Sequence, residues 1–186
     1  MPDRRDRFLF LIGLAAYTVG QAVLAWLGPR SQDQTPIDYA HWLLLVGVFL
    51  LIPYAARLPR KGIALIASPV LLVGIVGVVG MCVVDLVFWA LPAGELERQV
   101  FKELRQEPTI WGAFMQVLSN DVFMTGLLLV GLLEYKVSKV ATALVIMSSV
   151  AILFTPQAFN APLYAVMIIG FALAFFRYGG ARPHGA

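Results

Sequence analysis

The chain has 186 residues, of which 60% are hydrophobic and 13% charged, and its mean hydropathy is +0.81; soluble domains run to roughly half apolar and a quarter charged, so a water-soluble globule is excluded. The pI of about 9.2 accompanies a formal net charge of only +3, with basic residues standing singly or in twos and threes beside apolar runs, which argues for membrane topology and against a nucleic-acid partner. One cysteine, Cys82, inside an apolar run, excludes an internal disulfide, a CxxC redox pair and a cysteine metal cluster.

Because a bilayer core offers no water, backbone groups must pair within the chain, as helices or a closed barrel. The apolar runs here are continuous rather than alternating, which selects helices. The expected fold is therefore all-α: a six-helix transmembrane bundle forming one domain over 1–186, with spans at about 8–27, 38–57, 62–91, 110–133, 137–155 and 160–178 and a flexible tail at 179–186. The first apolar run, behind the basic DRRDR flank, is too long for the core of a cleaved signal and no A-x-A site follows, so it reads as a retained helix.

Turn residues punctuate the chain. Gly28, Pro29 and Pro36 close the first span, Pro59 to Gly62 separate the second from the third, and Pro156 and Pro162 bracket the last turn. The third segment exceeds one membrane thickness, so it must tilt, protrude or bend at Ser68-Pro69. Residues 94–107, GELERQVFKELRQE, place Leu96, Val100, Phe101 and Leu104 on one side and charges on the other. They predict an amphipathic extracytoplasmic helix, either lying on the membrane surface or packed on the neighbouring loops.

Lysine and arginine set the orientation, being enriched in cytoplasmic loops. With six spans, ten fall on the amino-terminal side (Arg4, Arg5, Arg7, Arg57, Arg60, Lys61, Lys136, Lys139, Arg177, Arg182) and four on the other (Arg30, Arg98, Lys102, Arg105). Both termini are thus expected in the cytoplasm, with the bacterial plasma membrane as the default location.

Two carboxylates fall inside spans: Asp85 in the third and Asp121 in the fourth. A mid-membrane acid costs about 2.5–3.5 kcal/mol on insertion scales and by default marks function. At about 1.5 Å per residue, Asp85 lies roughly 9 Å and Asp121 roughly 15 Å from the outer ends of their helices. Gly74, Gly77 and Met81 lead along one face to Asp85, with Trp89 beside it; helical phase pairs Gln116 with Asn120 and Asp121 with Thr125, and sets Gly13, Tyr17 and Gln21 on one face of the first helix. His41 opens the second helix at the same level, and Gln157 and Asn160 occupy the outer turn of the last two.

Polar groups therefore gather in the outer half, whereas the cytoplasmic half reads as nearly all aliphatic. The expectation is an outer-half pocket for a small molecule or proton, built from Asp85, Asp121, Asn120, Gln116, Gln21, Tyr17 and His41. Two close acids there are expected to share a proton. The competing reading is that these groups only satisfy one another, at about 0.6–2 kcal/mol per interhelical hydrogen bond. A lipid-modifying enzyme using Asp85 or Asp121 with His41 as acid and base is the catalytic alternative, and a structural or regulatory subunit the third. Only His41 and His184 could serve as histidine ligands, no lysine lies in a span and no phosphate-binding G-x-x-x-x-G-K motif occurs, so no metal or cofactor is expected. A homodimer packed through glycine faces is compatible with so few helices.

Overall fold

A helix that crosses about 30 Å of hydrocarbon needs about 20 residues, and that length decides which elements serve as spans. The computed structural model describes residues 2–27, 37–92 and 94–177. The expected turn from Gly28 to Pro36, Ala93, and the chain from Tyr178 on, including the predicted tail 179–186, Arg182 and His184, lie outside the described residues. The elements are α1 (Arg4–Leu27), α2 (Ile37–Ala56), α3 (Ala64–Ala90), α4 (Glu95–Gln106), a π-helix (Pro108–Val122) running directly into α5 (Phe123–Leu133), α6 (Lys139–Phe154), a 3-10 turn (Gln157–Phe159) and α7 (Asn160–Arg177). No strand occurs among the described residues.

Among the described residues five helices are long and apolar enough to cross a membrane: Arg4–Leu27, Asp38–Ala56, Ala64–Ala90, Pro108–Leu133 and Gln157–Phe176. The stretch expected as a span at 137–155 forms the shorter apolar helix α6, of 16 residues, which rises only about 24 Å. Both ends are chemically fixed. Ser138 Oγ accepts a hydrogen bond from Ala141 N at 3.2 Å, an N-cap, and Thr155 is held extended (φ −106°, ψ 152°) in front of Pro156.

α1 begins at Arg4, four residues before the expected start. Asp3 Oδ1 accepts from Asp6 N at 2.9 Å and Asp6 Oδ2 accepts from Asp3 N at 3.0 Å, a reciprocal cap that satisfies two of the helix's free amides. The long α3 runs unbroken through Pro69, and beside it Ser68 Oγ donates to Ala55 O at 2.8 Å, tying the start of α3 to the end of α2.

Lateral packing depends on missing side chains. A Cβ at Gly74 would overlap the Phe123 backbone and one at Gly77 the Leu118 backbone, so α3 and the following π/α5 span are in backbone contact, as the small-residue face predicts. Gly13 and Gly47 face each other in the same way between α1 and α2. Bulky side chains such as Phe8, Ile12, Val19, Val73 and Val76 stay exposed, forming the outer apolar surface that lipid requires.

The amino-terminal end of the bundle differs from the aliphatic reading. It holds an aromatic cluster of Phe10, Tyr54, Phe171 and Phe175, with ring centroids 4.7–5.7 Å apart, beneath a buried polar layer. Asp6, 1% exposed, accepts from Arg57 Nη1 at 2.6 Å. Tyr54 Oη donates to Glu134 Oε1 at 3.3 Å, and Arg7 Nη1 donates to Phe175 O at 3.5 Å with its guanidinium over the Phe175 ring. The sequence reading missed this because Asp6, Arg7 and Glu134 look like loop charges until the helix ends fold over them. Burial raises the Glu134 carboxyl above its ordinary 4.5, with Arg7 and the Tyr54 hydroxyl opposing.

Gly77→Val should destabilise the fold by about 1–3 kcal/mol through overpacking, lowering the melting temperature of the detergent-purified protein. Gly112→Ala, whose Cβ would meet only Pro108 Cβ at 3.9 Å, should leave it unchanged. The raised pKa of Glu134 means that the folded state binds its proton more tightly than the unfolded chain, so its contribution is most favourable below about pH 4.5 and is lost as pH rises through the folded value. Melting curves between about pH 4 and about pH 8 should therefore show Glu134→Gln gaining stability relative to wild type towards the upper end; a constant difference across the range would contradict this.

Candidate binding cavity

At the opposite end of the bundle the polar residues of several helices converge. His41, one turn into α2 and 3% exposed, lies with Nε2 2.9 Å from Asp85 Oδ2 near the end of α3. The Asp85 side chain is 18% exposed, shielded yet still open to the adjoining space. The imidazole nitrogen and the carboxyl oxygen share a hydrogen bond, joining α2 to α3 at this level.

That space is a cavity of about 710 Å³ lined by all seven predicted residues: Tyr17 and Gln21 from α1, His41 from α2, Asp85 from α3, and Gln116, Asn120 and Asp121 from the π-helix. Asp85 and Asp121 thus share one cavity but no hydrogen bond. His41 binds Asp85, while Asp121 Oδ1 accepts from Asn120 Nδ2 at 3.2 Å. Asp121 and Gln116 are exposed, and Gln21 is buried. Trp89, expected beside the acid, is 44% exposed and stands outside the lining, whereas Met81 belongs to it.

The π-helix changes the phase on which the sequence reading relied. In an α-helix, residues five apart are turned by about 140° from one another, which put Gln116 and Asp121 on different stripes. Hydrogen bonding from i to i+5 widens the turn, so Trp111, Gln116 and Asp121, spaced by five, face the cavity together with Met115 and Asn120. The stacked pair Asp121 and Thr125 becomes a backbone link, Thr125 Oγ1 donating to Asp121 O at 2.7 Å.

Several lining residues were not singled out from sequence. Ser119 is buried between the polar pair Gln116 and Asn120. Tyr164 lies one turn beyond Asn160 on α7, and its ring meets that of Tyr17 edge-on at 5.0 Å; the four-residue spacing from Asn160 was the available signal. From α4, Phe101 and Arg105 reach the cavity. Phe101 stacks edge-on against Phe88 at 5.4 Å and Trp111 at 5.2 Å, so α4 packs its apolar side onto the bundle over the cavity, while Leu96, 56% exposed, points away.

Two amide oxygens at the site have unmet capacity. Gln21 Oε1, on a side chain from a residue only 6% exposed, and Asn160 Oδ1 are buried without a hydrogen-bond partner among the described residues. Buried acceptors in folded proteins are paired with few exceptions, so these two oxygens can each accept from a donor that enters the cavity. No group of three or more His, Cys, Asp or Glu side chains suited to a metal ion comes together among the described residues. No family model, curated protein or solved structure matches this chain, so the reading rests on geometry.

Accessibility can be measured directly. In a Cys82→Ser background, Gln116→Cys should react with a membrane-impermeant thiol reagent, and Leu127→Cys, fully buried, should stay unlabelled. Equal protection of both would mean that the cavity is closed to water.

Proposed function

We propose that the protein crosses the bilayer six times with both termini cytoplasmic, α6 acting as a short sixth span, and that it binds and carries a small molecule through this cavity, with Asp85 and Asp121 as the ionisable centre. The plasma membrane is the proposed location. The single observation behind the reading is convergence: seven polar residues from α1, α2, α3 and the π-helix, scattered over a hundred residues of sequence, line one space of about 710 Å³, within the roughly 300–1,000 Å³ range of small-molecule sites. Mutual satisfaction of these groups leaves Gln21 Oε1 without a partner, and Asn160 Oδ1 of α7 in the same lining is also without one. Net retention of two carboxylates that are costly to insert is explained by a ligand that needs them.

A catalytic reading draws on a different observation. The hydrogen bond between His41 and Asp85 orients an imidazole inside a cavity that also holds Ser119, and an oriented histidine is the commonest general base. A lipid-modifying activity would depend on the imidazole itself, whereas a carrier would depend on the carboxylates.

Native mass spectrometry of the purified protein, followed by uptake of any co-purifying molecule into proteoliposomes, separates these. The carrier reading expects the ligand in wild type, its loss in the doubly substituted Asp85→Asn, Asp121→Asn protein, and flux lowered by tenfold or more, about 1.4 kcal/mol or above. Unchanged ligand occupancy and flux in the double variant would overturn it. Chemical conversion of the co-purified molecule, abolished by His41→Ala, would establish the enzyme instead.

A further inference from the structure

We propose that the ligand of this cavity is a protonated amine on an apolar, ring-bearing body, which deepens the binding reading above and rests on it. The first argument is charge. The lining holds two carboxylates, Asp85 and Asp121, against one permanent cation, Arg105 on the exposed face of α4. An anion would meet both acids at close quarters, and like charges in a site of restricted hydration repel strongly.

The second argument is the sense of the hydrogen bonds. His41 engages one oxygen, Oδ2, of Asp85, and Asn120 engages one oxygen, Oδ1, of Asp121. Gln21 Oε1 and Asn160 Oδ1 are buried acceptors with no donor. Both buried polar atoms without a partner at this site are thus acceptors, beside two carboxylates in the same lining, and an ammonium group offers three N–H donors and no acceptor. A neutral polyol would bring acceptors in equal number, and a bare proton requires no cavity of this volume.

The third argument is the walls. Tyr17 and Tyr164 pair at 5.0 Å, and Phe88, Phe101 and Trp111 form a second aromatic group. Aromatic faces attract cations and bury apolar rings. Two ring clusters with acceptors between them suit an arylalkylammonium ion better than a metal ion, for which no three-ligand cluster exists among the described residues.

The test uses four indoles of similar size on the full-length, detergent-purified chain: tritiated tryptamine in a scintillation-proximity assay, with tryptophol, indole-3-propionate and N,N,N-trimethyltryptammonium as competitors. Tryptamine should bind, the trimethyl analogue about fivefold or more weakly for lack of N–H donors, and the neutral and anionic analogues should fail to compete. Asp85→Asn should weaken tryptamine about tenfold, in line with loss of a charge-assisted hydrogen bond; if that variant does not fold, Asp121→Asn, altered at an exposed side chain, gives the same readout. Gln21→Met should weaken tryptamine but not its trimethyl analogue. Competition by indole-3-propionate equal to that of tryptamine overturns the charge argument, and equal binding of the trimethyl analogue overturns the donor argument. If no indole binds while another co-purified molecule is lost on substituting both acids, the amine inference falls and the cavity reading stands. If nothing is lost either, both fall.

Discussion

Backbone contact through glycine sets the architecture from which everything else in the molecule follows. In a membrane, helices gain little from hiding apolar surface, because lipid is equally apolar, so association depends on close packing and interhelical hydrogen bonds. Two tight pairs arise this way: α1 with α2 through Gly13 and Gly47, and α3 with the π/α5 span through Gly74 and Gly77. Where small residues continue, the helices touch and no cavity is possible. Where the stripe on α3 gives way to Met81 and Asp85, space opens between the pairs, and Tyr17 and Gln21 of α1 line it.

The π-helix is the second determinant. Fifteen residues hydrogen-bonded i to i+5 form an unusually long stretch for a conformation that elsewhere occurs mainly as single turns, often at functional sites. Its effect is to widen the polar face of the fourth span, so that Gln116, Ser119, Asn120 and Asp121 line the cavity together. An α-helix would turn part of that set toward lipid. Tension between polar placement and bilayer cost is thereby relieved through backbone geometry.

Much of this was legible in the sequence because bilayer physics is severe. Long apolar runs, turn residues and mid-span acids located the helices to within a few residues and pointed to the polar end of the bundle. Helix ends with local chemistry were less legible: the Asp3 and Asp6 cap extends α1, and the Ser138 cap with Pro156 shortens α6. The phase of residues 108–122 was not legible at all, since periodicity arguments assume 3.6 residues per turn. The buried layer of Asp6, Tyr54 and Glu134, which the exposed Arg57 reaches from outside, escaped notice for a different reason. Charges next to a span read as solvated topology markers, and only tertiary packing shows which of them are covered.

The two ends of the bundle are chemically opposite. One holds a cavity with unmet acceptors and aromatic walls under α4; the other is filled by four packed rings and by hydrogen bonds joining α1 to the segment after α2, α2 to the end of α5, and α1 to α7. A ligand in the cavity therefore has no route past Phe10, Tyr54, Phe171 and Phe175 in this conformation. On the proposed carrier reading, passage requires those rings to separate, and the contacts made by Asp6, Arg7 and Glu134 must break in the same step because they bridge the same helices. Such coupling is the physical content of alternating access: an exposed site and a sealed far end are one arrangement of the helices, and the converse arrangement has to be close in free energy for transport to proceed. Burial pushes the pKa of the Glu134 carboxyl up, and taking up a proton on the way to the converse arrangement would let it part from Tyr54 without leaving an unpaired charge in a dry interior.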